Sequence, residues 1–234
     1  MITLNDLKKT YHGVVALDVP ALTIAEGEVV GLVGNNGAGK TTLMRLLLDL
    51  IRADRGTAAI DGLQVNLDPA WKQFTGSYLD SSFLVSFYTP EEFFALIAEI
   101  YGISPEEMNH RLQGYESLMN GEILGKGKLI NDHSNGNRQK IGIIGAMAVN
   151  PRVLILDEPF NYLDPSSQII VAKLIRQMNR DLGTTVLVSS HNLNSISDLC
   201  DRLLLLEKGS IILDKPHIPG TQDSELEAYF MRAI

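Results

Sequence analysis

Three observations predict an α/β protein with a mostly parallel sheet, an N-terminal antiparallel β subdomain and an inserted helical lobe. Strand-length apolar runs (Val29 to Val33, Val153 to Leu156, Val186 to Val188, Leu203 to Leu206) alternate with helical patterns along the 234 residues. Such alternation argues a parallel sheet with helices on its faces. Short β-like segments precede Val29, punctuated by Gly13, Pro20 and Gly27. Between about 85 and 150 the pattern turns helical, with Phe93, Phe94, Ile97, Ile100 and Tyr101 at helical spacing.

In chain order, Ile2, Leu4 and Leu7 open the first strand; Val14 to Val19, with Leu22 and Ile24, form the second. Val29 to Val33 runs into a glycine-rich loop, and Leu43 to Ile51 follows as a regularly spaced helix. Asp61-Gly62 between two apolar triplets signals a two-residue hairpin. Ser104-Pro105-Glu106-Glu107 starts a helix within the lobe. Helical patterns then cover Ile169 to Ile175 and Leu193 to Leu199, and Ile211 to Leu213 is a short strand. A last amphipathic piece carries Leu226, Tyr229 and Phe230. The division expected is one unit over 1–214 and a short helical tail over 215–234.

Composition narrows the class. Hydrophobic content of 45% and charged content of 21% suit a globular protein. A net charge of −8, with no basic run, argues against a nucleic-acid groove. The lone Cys200 forbids an internal disulfide and fits a reducing compartment. No signal-peptide pattern opens the chain, and no apolar stretch reaches 18 residues, so the sequence is not expected to span a membrane.

Gly34-Asn35-Asn36-Gly37-Ala38-Gly39-Lys40-Thr41-Thr42 matches G-x-x-x-x-G-K-[ST] in full, between a strand and a helix. The fold class is therefore a P-loop NTPase. Glycines let successive N–H groups turn inward on phosphate oxygens. Lys40 supplies a point charge for the outer phosphates, and the Thr41 hydroxyl is placed to ligate Mg²⁺. The helix start adds its positive dipole end. Val153 to Leu156 ends in Asp157-Glu158: Asp157 is the second Mg²⁺ ligand expected, and Glu158 could polarise an attacking water. Val186 to Val188 leads to His191, on the strand edge where open α/β sheets bind ligands and in reach of a γ-phosphate.

The chain resembles the nucleotide-binding subunit of ABC transporters over residues 1 to about 214. Four elements carry the resemblance: GNNGAGKTT, HSNGNRQK (133–140), VLILDEPFNYLDP (153–165) and VLVSSH (186–191). It implies that Tyr11 stacks on adenine, that Glu158 is the catalytic base, and that Ser134 and Gly136 cap the γ-phosphate of ATP held by a second subunit. Leu163-Asp164 would be the D-loop crossing that interface. It further implies ATP and Mg²⁺ as ligands, a second cassette, identical or different, and integral membrane permease subunits as partners. The chain would then lie in the cytoplasm, peripheral to the inner face of the cell membrane, and power transport through ATP-driven dimerisation. Two other readings are a soluble ABC-type ATPase not tied to transport and a weakly catalytic regulatory half of a heterodimer.

Two positions depart from the family pattern. His133, Asn135 and Asn137 stand where leucine, glycine and glutamine are usual; Asn135 is expected to preserve a tight turn, since asparagine tolerates positive φ. Ser81, or Asp80 one residue earlier, replaces the glutamine that contacts Mg²⁺ and water. Nine of fifteen aromatic residues fall between Trp71 and Tyr101. In the family this is where a coupling helix of the membrane subunit docks; packing within the helical lobe would explain the cluster equally well.

Overall fold

The computed structural model describes residues 1–193, 196–221, 226 and 229. Strands β1 (Ile2–Tyr11) and β2 (Val14–Ile24) form a hairpin turned at His12 and Gly13. With β4 (Arg55–Ile60) and β5 (Leu63–Gln64) they build an antiparallel sheet ordered β2-β1-β4-β5. Ile60 pairs with Leu63 across Asp61-Gly62, which is the hairpin expected from sequence.

The second sheet runs β10-β9-β3-β8-β7-β6. In it β3 (Val29–Val33), β6 (Thr75–Tyr78), β7 (Val153–Leu156), β8 (Thr185–Ser190) and β9 (Arg202–Glu207) are parallel. Strand β10 (Ser210–Pro216) is antiparallel at one edge. The middle strands are covered on both faces, which explains their unbroken apolar runs. Leu154 and Leu156 pack into one core; Val153 and Ile155 pack into the other.

Helix α1 (Lys40–Leu47) shares the second of these cores with the antiparallel sheet. Between β6 and β7 come α2 (Pro90–Tyr101), α3 (Pro105–Gln113), α4 (Glu116–Met119) and α5 (Asn135–Ala148); α6 (Pro165–Leu182) follows β7. The helix start expected at Ser104-Pro105-Glu106-Glu107 is present. Thr89 and Glu92 form a capping box at α2, with Pro90 in its first turn, and Ser104 caps α3. Each cap is worth about 1 kcal/mol. Helix α5 is buried continuously from Gln139 to Ala148, so it has no polar stripe to read.

Of the helical pattern expected over Leu193 to Leu199, only Leu193 and Ile196 to Leu199 are described. Leu193 and Ile196 to Leu199 make tight turns closed by Ile196 and Ser197 N–H bonds to the Leu193 carbonyl; Asn194 and Ser195 lie outside the described residues. Of the expected C-terminal helical tail, Leu226 is buried and Tyr229 packs partly buried against the same core. Phe230 lies outside the described residues. Among the described residues no helix is long and apolar enough to cross a membrane.

Because β3, β6, β7 and β8 are parallel, their C-terminal ends share one sheet edge. The glycine loop, Leu79 to Ser81, Asp157-Glu158 and His191 all begin there.

Candidate active site

The loop after β3 ends at Gly39, whose φ of 112° precedes α1 directly. A left-handed backbone at this point turns the chain into the helix, and glycine alone adopts it without strain. Lys40, only 6% exposed, folds back under the loop. Its Nζ donates to the carbonyls of Gly34 at 2.6 Å and Asn35 at 3.3 Å, and lies 3.3 Å from the Glu158 carboxylate. A buried ammonium is costly unless so partnered. Ala38 N–H closes a turn on Asn35, and the Ala16 carbonyl of β2 abuts Gly39. Asn36, Gly37, Thr41 and Thr42 complete the loop and the first turn.

Asp157 follows β7 and is buried. One carboxylate oxygen accepts from the Thr41 hydroxyl at 2.6 Å, and the other accepts from Ser189. Ser189 in turn accepts the Glu158 N–H at 2.9 Å. Glu158 has φ of 47°, left-handed for a residue with a side chain. Its carboxylate is held by Lys40 on one oxygen and by His191 on the other, through Nδ1 at 2.9 Å and the backbone N–H at 3.2 Å. The sequence-expected Lys40, Thr41, Asp157, Glu158 and His191 therefore meet in one network. Ser189 and Gln139, whose amide donates to the Glu158 and Pro159 carbonyls at 3.2 Å, are additions that sequence reading missed.

Ser134 caps α5, its Oγ accepting the Asn137 N–H at 3.2 Å. Asn135 departs from expectation: it is the first residue of the helix and its φ is not positive. Its side chain instead accepts from Arg138. The need for glycine lies one residue on, since a Cβ on Gly136 would come 2.9 Å from the Tyr162 carbonyl. This close approach ties the start of α5 to the loop that ends at Asp164. Asp164 caps α6 and accepts from Ser166 and Ser167, which hold its carboxyl well below the usual range. Ser134, Gly136, Tyr162 and Asp164 line one cavity of about 660 Å³. Thr41, Asp157, Glu158, Asp80, Ser81 and Asn135 line another of about 400 Å³. Asp80 also caps a short 3-10 turn through the Ser82 N–H at 2.8 Å. Tyr11 is 41% exposed at the end of β1, with Lys9 Nζ 5.5 Å from its ring centre.

A phosphate loop over a strand-end carboxylate pair defines a P-loop nucleotide-binding protein. The family of ABC transporters matches residues 17–161. The methionine import ATP-binding protein MetN of Rhizobium johnstonii is 32% identical over 91% of this chain and 60% of its own length. ABC transporter ATP-binding protein NatA of Bacillus subtilis is 32% identical over 91% of this chain and 88% of its own. Among solved structures, an ATP-binding subunit of an ABC transporter aligns with a TM-score of 0.87 at 26% identity, covering 99% of each chain. The dimeric post-hydrolysis state of the cassette MJ0796, bound to ADP and Pi, aligns at 0.82 and 26% identity over 92% of this chain and 98% of that one. The chain belongs to the ABC transporter family. It spans 60% to 65% of the length of the MetN relatives it matches.

Proposed function

We propose that this chain hydrolyses ATP and, as a dimer of cassettes, drives transport by separately encoded membrane subunits. The observation that carries it is the convergence of Lys40 and His191 on the two oxygens of Glu158. In the reaction, Lys40 and the loop N–H groups hold the phosphates and Tyr11 stacks on the base. Glu158 takes the proton of the attacking water, and His191 orients that carboxylate and approaches the γ-phosphate.

Mg²⁺ suits the donors at hand: Thr41 and Asp157 oxygens lie 2.6 Å apart, two hard ligands of the kind this ion accepts alongside phosphates. Bound there, it would offset charge on the phosphate oxygens.

Ser134, Gly136 and Asp164 are the surface offered to a second copy, whose ATP the helix cap of α5 would meet. The relative solved as a dimer with ADP and Pi supports this. For the membrane partner, the aromatic cluster divides. Trp71, Tyr78, Phe93 and Phe94 are core, whereas Phe83 is 50%, Phe87 70% and Ile100 69% exposed. Phe83 and Ile100 flank an apolar groove of about 450 Å³, suited to a helix from a membrane subunit. Docked there, the chain would be peripheral to the inner face of the membrane.

Glu158→Gln tests the reading. The variant is expected to bind ATP, lose turnover by about 10² to 10⁴, and elute as a dimer on gel filtration with MgATP. Normal turnover would place the base elsewhere.

A further inference from the structure

We infer that Tyr78 and Gln139 form a positioning relay that holds the main chain of Glu158 from the side of the apolar groove. The inference rests on Glu158 being the base.

Glu158 sits in a left-handed conformation that a non-glycine residue keeps only when its surroundings impose it. Ser189 fixes its N–H. Its carbonyl, and that of Pro159, accept from the two hydrogens of the Gln139 amide at 3.2 Å each. With the amide nitrogen aimed at two carbonyls, its oxygen must face the other way, and there it accepts the Tyr78 hydroxyl at 3.0 Å. Both side chains are buried, so neither has water to replace the other. Burial also pushes the Tyr78 hydroxyl far above the range in which it would ionise, which keeps it a donor.

Tyr78 ends β6, and its other neighbours line the groove flanked by Phe83 and Ile100. Its ring lies against the backbone of α5: a Cβ added at Gly142 would come 2.0 Å from the ring. The ring can reach Gln139 only because that position carries no side chain. One phenol thus touches the groove, α5 and, through one amide, the base. Ser81 and Asp80, at the loop that begins where β6 ends, make no such contact with the Glu158 main chain among the described residues.

The test is a double-mutant cycle on the purified full chain, reading kcat and KM for MgATP beside thermal unfolding. Tyr78→Phe removes one oxygen and keeps the ring. It is expected to lower kcat about tenfold, as misplacing a catalytic group does, with KM within about twofold, the mark of an interaction that matters in the transition state. Gln139→Leu is expected to lower kcat at least as much, and the double variant no more than Gln139→Leu alone. Unchanged kcat in Tyr78→Phe, or factors that multiply in the double variant, would overturn the relay. A shift in melting temperature with no kcat change would also overturn it, reducing Tyr78 to packing. Glu158→Gln is assayed in parallel. If it is inactive while Tyr78→Phe is normal, the relay fails and the base stands. If it turns over normally, the base assignment falls and the relay falls with it.

Discussion

Ser189→Ala isolates what the hydroxyl at the end of β8 does. Ser189 is fully buried, donates to Asp157 and accepts the Glu158 N–H at 2.9 Å. Asp157 keeps the Thr41 hydroxyl as a partner, but the Glu158 N–H has no other among the described residues. Leaving a buried donor unsatisfied costs about 1–3 kcal/mol, and a bond to an ionised acceptor contributes about 1.5–3 kcal/mol. The two losses share one atom and are not additive, so a total of about 3 kcal/mol is expected. For a chain of this length each kcal/mol moves the melting temperature by about 2–4 °C, which gives a drop of roughly 6–12 °C. Differential scanning calorimetry reads it directly. Turnover should fall as well, because Glu158 loses one anchor of its strained backbone. A drop below about 2 °C with full activity would show that the hydroxyl holds neither carboxylate residue.

Lys40→Ala should weaken MgATP binding by more than tenfold, measured by titration calorimetry, with an unchanged far-ultraviolet spectrum. Ser134→Arg should block ATP-driven dimerisation and spare nucleotide binding; mixed with Lys40→Ala subunits it should restore hydrolysis at one composite site, and a silent mixture would refute contact across a dimer. Phe83→Ser should abolish co-purification with membrane subunits from native membranes while leaving the melting temperature unchanged, since the residue is half exposed. His133 is buried, and desolvation lowers its pKa, with Lys128 adding to the effect. Its neutral form is therefore favoured on folding, so it adds acid sensitivity that begins as pH falls below the unfolded value of about 6.5 and is complete below the folded one. Denaturant unfolding at pH 7.5 and 5.5 should show a smaller difference in His133→Leu than in the wild type.

The P-loop, Asp157, Glu158 and His191 were readable because each sits where an apolar run stops, and parallel strands then bring those stops to one edge. The capped helix starts at Thr89 and Ser104 also carry local signals, though the Thr89 box becomes evident only with its Glu92 partner in place. Ser189 and Gln139 were not readable as parts of the network. A serine inside a buried strand and a glutamine inside a helix mean little until β7, β8 and α5 are packed together. Asn135 misled for a related reason. The tight geometry near Ser134 arises from the approach of Tyr162 to Gly136, a contact between segments far apart in sequence.

Helix α5 is capped by Ser134 and reaches Gln139 five residues after that cap, about 7.5 Å along a single rod at 1.5 Å per residue. Its cap faces the partner's nucleotide in the proposed dimer, while Gln139 grips the backbone beside the chain's own base. From Gln139 to Ala148 the rod is buried and held by the core, so in the dimer a push at the cap would be met at Gln139. Each cassette would then sense, through one helical segment, whether its neighbour is loaded. Two such sensors facing each other make the dimer a pair of coupled clocks. Hydrolysis should rise more steeply than linearly with ATP, and Ser134→Arg alone, unable to dimerise, should lose both the rise and the hydrolysis.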